Sequence, residues 1–189
     1  MNEKDQMTDM DEAKALFVDN VYDIADIAVS AVIVIFVIFI FLFRVVGVVG
    51  DSMVPTLHQG DWLMVSSSSY EPEAGDVVII TQPNAFNEPI VKRIIATEGQ
   101  TVNIDYSKGE VYVDGQLLDE PYINEPTTDD TEADIKMPVT VPEGHVFVMG
   151  DNRNHSTDSR SSSVGFIDER YILGEVSGRL FPIGDFKVE

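Results

Sequence analysis

From Ile24 to Phe43 the chain reads IADIAVSAVIVIFVIFIFLF, twenty residues whose only charge is Asp26 near the start. At the helical rise per residue such a run spans about 30 Å, the thickness of a bilayer's hydrocarbon core. It predicts a transmembrane helix over residues 24–43. A cleavable signal peptide is the competing reading, but its apolar region is shorter, nearer the N-terminus and led by basic residues. Here the preceding residues are polar and acidic. Gly47 and Gly50 after the run resemble a cleavage site, yet a cut there would release everything that follows. Three parts are therefore expected: an acidic tail over 1–23, the span over 24–43, and a domain over 44–189.

Beyond the span the pattern changes to period two and to short β-branched runs bounded by Gly, Pro and Asp. Strands are predicted at Trp62–Ser66, Asp76–Thr81, Ile90–Thr97, Thr101–Asp105, Glu110–Val113, His145–Met149 and Tyr171–Leu180. Glu98-Gly99, Lys108-Gly109 and Asp114-Gly115 fit hairpin turns. The fold class is mainly β: one N-terminal transmembrane helix followed by an antiparallel all-β domain of roughly 140 residues, large enough for its own core. Residues 124–138, NEPTTDDTEADIKMP, are acidic and poor in apolar side chains. They read as an exposed, flexible excursion without catalytic residues.

Charge and composition remove several functions. The chain has no cysteine, which rules out a disulfide framework, a thiolate metal site and a cysteine nucleophile. His58, His145 and His155 lack metal-ligand spacing, so neither a metal nor any other cofactor is expected. A net charge of −21 opposes nucleic-acid binding, which needs clustered Lys and Arg. Residues 1–26 hold eight acidic and two basic side chains, so most of the acidity lies in the rest of the chain and reads as a solvated surface.

Three stretches carry candidate chemistry. Gly50–Leu57 reads GDSMVPTL and starts seven residues after the apolar run, placing Ser52 among turn-forming residues near a membrane surface. On its own the octapeptide is equally an ordinary polar loop. Val91–Ala96, VKRIIA, sets Lys92 in an apolar context. A serine hydroxyl needs a base. Lysine serves only where burial disfavours its charge, whereas arginine stays protonated in proteins. Alternation along a strand sends Lys92 to one face and Arg93 to the other, so one of them is expected to face a site and its neighbour solvent. The third stretch, Gly150–Arg160, reads GDNRNHSTDSR and by itself suits a polar turn or a cation loop.

Together and in this order the three resemble the motifs of the type I signal peptidases, bacterial membrane-bound Ser/Lys proteases. The resemblance runs from the apolar run to about Pro182. It implies Ser52 as nucleophile, Lys92 as general base, Ser156 as the hydroxyl that orients the lysine, and Asp158 with Arg160 as a supporting ion pair. Met53 resembles the position lining the pocket for the residue before the cleaved bond. The Ser52 N–H is implied as an oxyanion donor. Some members add a side-chain hydroxyl two residues earlier, but here that position is Gly50, which supplies none. The excursion at 124–138 looks like a variable insertion between the lysine and the last motif.

The implied partners are signal peptides of exported preproteins, cut after small residues at −1 and −3, together with the lipid bilayer and a nearby secretion translocon. Lys4 and Lys14 before the span and Arg44 after it lean toward an inside N-terminus. The resemblance completes the topology: a single-pass protein of the cell membrane, tail in the cytoplasm and catalytic domain on the outer face. Trp62 suits either the membrane interface or the core. Two other readings fit parts of the chain. Self-cleaving Ser/Lys repressors share the Ser-Met pair and the strand lysine but lack a span and the Gly-Asp-Asn-Arg stretch. A catalytically inactive, membrane-anchored interaction module needs neither Ser52 nor Lys92.

Overall fold

In the computed structural model the described residues are 20–37, 43–66, 70–81, 88–131 and 133–183. The chain divides into two units, Met1–Leu42 and Phe43–Glu189. The first contains helix α1, Asn20–Val37, long and apolar enough to cross a membrane and with none of its surface buried in the protein. Its polar residues, Asn20, Asp23 and Asp26, lie in the first two turns, and from Ile27 on only Ser30 interrupts the apolar run. Its described residues include four, 20–23, that precede the predicted span. Phe43, expected to end that span, instead opens a strand, and 38–42 lie outside the described residues. The short run Val45-Val46-Gly47 reads as helix or strand by periodicity alone; pairing with a partner decides it.

Among the described residues every strand pairing of the second unit is antiparallel. Its strands are β1 (Phe43–Gly47), β2 (Trp62–Ser66), β3 (Val77–Ile80), β4 (Ile90–Ala96), β5 (Thr101–Asp105), β6 (Glu110–Val113), β7 (Gln116–Leu117), β8 (Val139–Thr140), β9 (His145–Met149), β10 (Ile167–Asp168) and β11 (Ile172–Phe181). A seven-stranded sheet runs β1-β2-β11-β3-β4-β9-β10, and a four-stranded sheet runs β7-β6-β5-β8. The mainly β reading holds. The additional strands β1, β7, β8 and β10 are edge or two-residue elements, too short or too uniform to show alternation.

Two of the three predicted turns make hairpins. Lys108-Gly109 joins β5 to β6 and Asp114-Gly115 joins β6 to β7, both residues of the latter having positive φ. Glu98-Gly99 does not: it carries the chain from β4 in the large sheet to β5 in the small one, and the Gly99 N–H bonds the Val141 carbonyl at 2.9 Å.

β3 is buried along its whole length, with Val77 and Ile79 in one core cluster and Val78 and Ile80 in another. A strand covered on both faces carries a continuous apolar run in place of alternation. A third cluster, including Ile95, Val102, Val111 and Phe147, joins residues of the two sheets. Residues 124–138 hold no helix or strand among those described. They are nevertheless bonded to the last motif: Asn154 Oδ1 caps the Thr128 and Asp129 N–H groups at 3.0 and 2.9 Å, and Asp134 accepts from Ser162.

Candidate active site

Ser52 lies in the turn-rich stretch between β1 and β2. Gly50 enters it at φ +86°, a left-handed conformation glycine adopts without a Cβ penalty. Met53 and Leu57 then anchor it, both side chains being buried in the first core cluster. Ser52 is left half-buried beside an exposed Asp51. Met53, expected to line a substrate pocket, is 2% exposed and packs beneath the loop.

Lys92 comes from the middle of β4 and is 4% exposed, and its Nζ donates to Ser52 Oγ at 2.7 Å. Burial pushes the ammonium down to about 8. The Asp158 carboxylate opposes that shift, the Arg160 guanidinium assists it, and Asp151 opposes it. An amine at that value is neutral in roughly one molecule in ten at pH 7, against fewer than one in a thousand at the ordinary value.

Arg93 does not face solvent, contrary to the alternation argument. It is 3% exposed, because β4 is buried on both faces from Lys92 to Ala96. Its Nε and Nη2 donate to the two carboxylate oxygens of Asp151 at 2.9 and 2.8 Å, and its Nη1 donates to the Gly75 carbonyl at 2.7 Å. Asp151 also accepts the Thr56 hydroxyl. One buried carboxylate thus ties the strand that carries Lys92 to the loop that carries Ser52. Asn152 ties the same loop again: its N–H donates to the Ser52 carbonyl and its Nδ2 to the Asp51 carbonyl, each at 3.0 Å. These links escaped sequence reasoning; their signal was charge at two otherwise apolar or turn positions, Arg93 and Asp151.

Asp158 and Arg160 form a buried pair, with Nε and Nη2 donating to the carboxylate at 2.8 and 2.9 Å. Burial raises the Asp158 carboxyl, but the Arg160 bonds and charge, the Gly150 N–H at 3.0 Å and the Lys92 charge outweigh it and hold the group below the usual carboxylate range. Arg160 Nη2 also reaches the Arg153 and Ser156 carbonyls at 2.7 and 3.1 Å. Ser156 Oγ is buried without a hydrogen-bond partner among the described residues, so it does not bond Lys92 here. It stands against Gly150, where an added Cβ would come within 2.3 Å of it and 2.4 Å of the Ser52 carbonyl oxygen.

A cleft of about 240 Å³ opens in front of this constellation, between Val46, Gly47 and Val49 on one side and Pro89 to Val91 on the other, with Ser52 and Lys92 in its wall. Neither Gly50 nor Met53 lines it. Among the described residues no cluster of three His, Asp or Glu side chains is placed to hold a metal ion. The arrangement places a hydroxyl in contact with an amine of lowered pKa, so the amine can serve chemically as a base toward the hydroxyl.

Residues 21–181 match the family model described as signal peptidase, peptidase S26. A probable signal peptidase I-1 of Synechocystis is 42% identical over 145 residues, 71% of this chain and 69% of the relative. Signal peptidase I of Bacillus licheniformis is 37% identical over 148 residues, 74% of this chain and 77% of the relative. Signal peptidase IB of Staphylococcus aureus is 36% identical over 157 residues, covering 74% and 78%. A solved signal peptidase I from Enterococcus faecalis aligns with 58% of this chain and 99% of its own at 31% identity and a TM-score of 0.47. With the family model and these relatives each spanning most of its length, the chain belongs to the signal peptidase family, the S26 peptidases.

Proposed function

We propose that this peptidase is a membrane-anchored serine endopeptidase that removes signal peptides from exported preproteins, with Ser52 as nucleophile and Lys92 as general base. The observation that carries the reading is the 2.7 Å contact between Lys92 Nζ and Ser52 Oγ at a position whose burial lowers the ammonium to about 8. When Nζ is neutral the same contact holds the reverse bond, with the serine hydroxyl as donor. As Oγ attacks the scissile carbonyl, its proton passes to Nζ and the carbonyl π electrons move onto oxygen. The Ser52 N–H, which has no acceptor within the protein among the described residues, is free to stabilise that oxyanion. The Lys92 ammonium then returns the proton to the leaving amine as the C–N bond breaks, leaving an acyl-Ser52 ester. Water, deprotonated by Lys92, releases the signal peptide's new carboxyl end. The Asp158 and Arg160 charges act on the lysine in opposite directions, Asp158 favouring its ammonium and Arg160 its neutral form.

The cleft suits an extended segment. Among the described strands β1 pairs only with β2, and residues 90–92 of β4 pair only with β3, so each presents an unpaired edge to which a peptide can add. Alternate side chains of such a segment point into the cleft. Small residues at −1 and −3, the small-x-small rule, are the preference that the family resemblance implies for such a segment. Helix α1 serves as a single-pass anchor, with the tail in the cytoplasm and the β domain on the outer face beside the translocon.

Cleavage of a preprotein with an Ala-x-Ala site in detergent, compared among the intact chain, Ser52→Ala and Lys92→Ala at equal folding, tests the reading. Cutting at that site by the intact chain alone supports it; equal cutting by all three refutes the pair.

A further inference from the structure

Among the described residues the stretch between β7 and β8 has no helix or strand, yet it is bound to the site at three successive alternate residues. Glu120 Oε1 meets Arg153 Nη2 at 2.6 Å, both side chains being nearly or fully buried. The Tyr122 ring lies over the Arg93 guanidinium at 3.9 Å from its centroid, with the Arg153 guanidinium at 5.9 Å. The Asn124 N–H donates to the Asp151 carbonyl at 3.2 Å. All three contacts fall on β4 or on residues 151–153, the elements that hold Lys92 and the Ser52 loop. Asp151 and the Gly75 carbonyl engage all three nitrogens of the Arg93 fork along its edge, and the Tyr122 ring lies on its flat face. Both members of the Arg93–Asp151 pair are buried, which strengthens their attraction.

We infer that Tyr122 is a positioning residue for the Ser52–Lys92 pair, acting through Arg93 and Asp151, and that residues 120–124 form a strap holding the catalytic strand and the nucleophile loop in register. The inference rests on the Ser/Lys reading above. Tyr122 touches neither reacting group and does not line the cleft, so it acts on the geometry of the reaction and not on substrate binding. Releasing the strap loosens β4 against the 150–153 stretch and admits water to Lys92. Solvation then relieves the burial that holds its pKa down, while Asp151, Asp158 and Arg160, the charged groups facing it, remain.

The test measures kcat, KM and the pH profile for an Ala-x-Ala peptide with the full chain in detergent, for wild type, Tyr122→Leu, Tyr122→Phe and Lys92→Ala. Tyr122→Leu is expected to lose tenfold or more in kcat with KM within twofold, and its acid limb to move upward by about one pH unit. Tyr122→Phe, which keeps the ring, retains the wild-type profile. If Tyr122→Leu does not fold, Tyr122→Met, apolar and flexible without a π face, must show the same split. Unchanged kcat and acid limb in the folded Leu or Met variant overturn the inference, as does a Phe variant as damaged as the Leu one. A Lys92→Ala variant that cleaves like wild type overturns the Ser/Lys reading itself, whereas loss of activity there with an intact Tyr122→Leu overturns only the strap.

Discussion

Gly150→Ala adds one carbon at the point where three parts of the site meet. The new Cβ would lie 2.3 Å from Ser156 Oγ, 2.6 Å from Ser156 Cβ and 2.4 Å from the Ser52 carbonyl oxygen. Ordinary contact requires about 3.4 Å or more, so each neighbour must retreat by about 1 Å. Gly150 is not in the left-handed region, so the penalty is steric and falls on those neighbours. The Ser52 carbonyl cannot move alone, being held by the Asn152 N–H at 3.0 Å, while the Asp158 bond at 3.0 Å holds the Gly150 N–H in place. Displacing the Ser52 backbone breaks the 2.7 Å contact with Lys92. A misplacement of about 1 Å in a reacting group costs about a hundredfold in rate, and overpacking of this kind costs about 1 to 3 kcal/mol in stability. The expected result is therefore a folded variant with kcat/KM lower by about two orders of magnitude, measured on an Ala-x-Ala peptide alongside thermal unfolding. Adding Ser156→Gly relieves the contacts with Ser156 but not the one with Ser52, and should restore only part of the rate. Retention of kcat/KM within threefold by Gly150→Ala alone would refute the reasoning.

Further outcomes follow from the buried charges. The active form of Lys92 is the neutral amine, so kcat/KM should climb with pH through about 8 and level above it; a flat profile with chemistry rate-limiting contradicts Lys92 as base. The same lowered pKa means the unfolded chain binds more protons than the folded one between about 8 and the ordinary lysine value, so this group makes stability rise with pH across that window and imposes its full cost below it. Lys92→Met should accordingly stabilise the folded domain by roughly 1 to 3 kcal/mol at pH 7 in urea unfolding while abolishing cleavage; a destabilised variant would show that the charge is well accommodated. Asp151→Asn removes the carboxylate charge from the buried Arg93–Asp151 pair and should cost about 3 to 5 kcal/mol. A loss under 1 kcal/mol in the same unfolding assay would show that water replaces the partner.

Much of the molecule is readable along the chain because its causes are local. An uninterrupted apolar run long enough to cross a bilayer, short β-branched strands and glycine turns such as Asp114-Gly115 each follow from neighbouring residues, and three motifs in order carry the family resemblance. Residue chemistry also separates Lys92 from Arg93, since only the amine can lose its proton. Tertiary structure decided what depends on a partner far away. Phe43–Gly47 becomes a strand because β2 offers it an edge. Glu98-Gly99 changes sheets because β5 pairs with β6 and β8. Arg93 turns inward because Asp151, 58 residues later, neutralises it. Met53 fills the core, Gly150 stays bare because Ser52 and Ser156 converge on it, and Tyr122 covers Arg93 from a stretch whose composition shows no sign of that contact. Backbone propensity and hydrophobic period act over a few residues, whereas burial, ion pairing and steric contact arise only once distant segments have closed on one another.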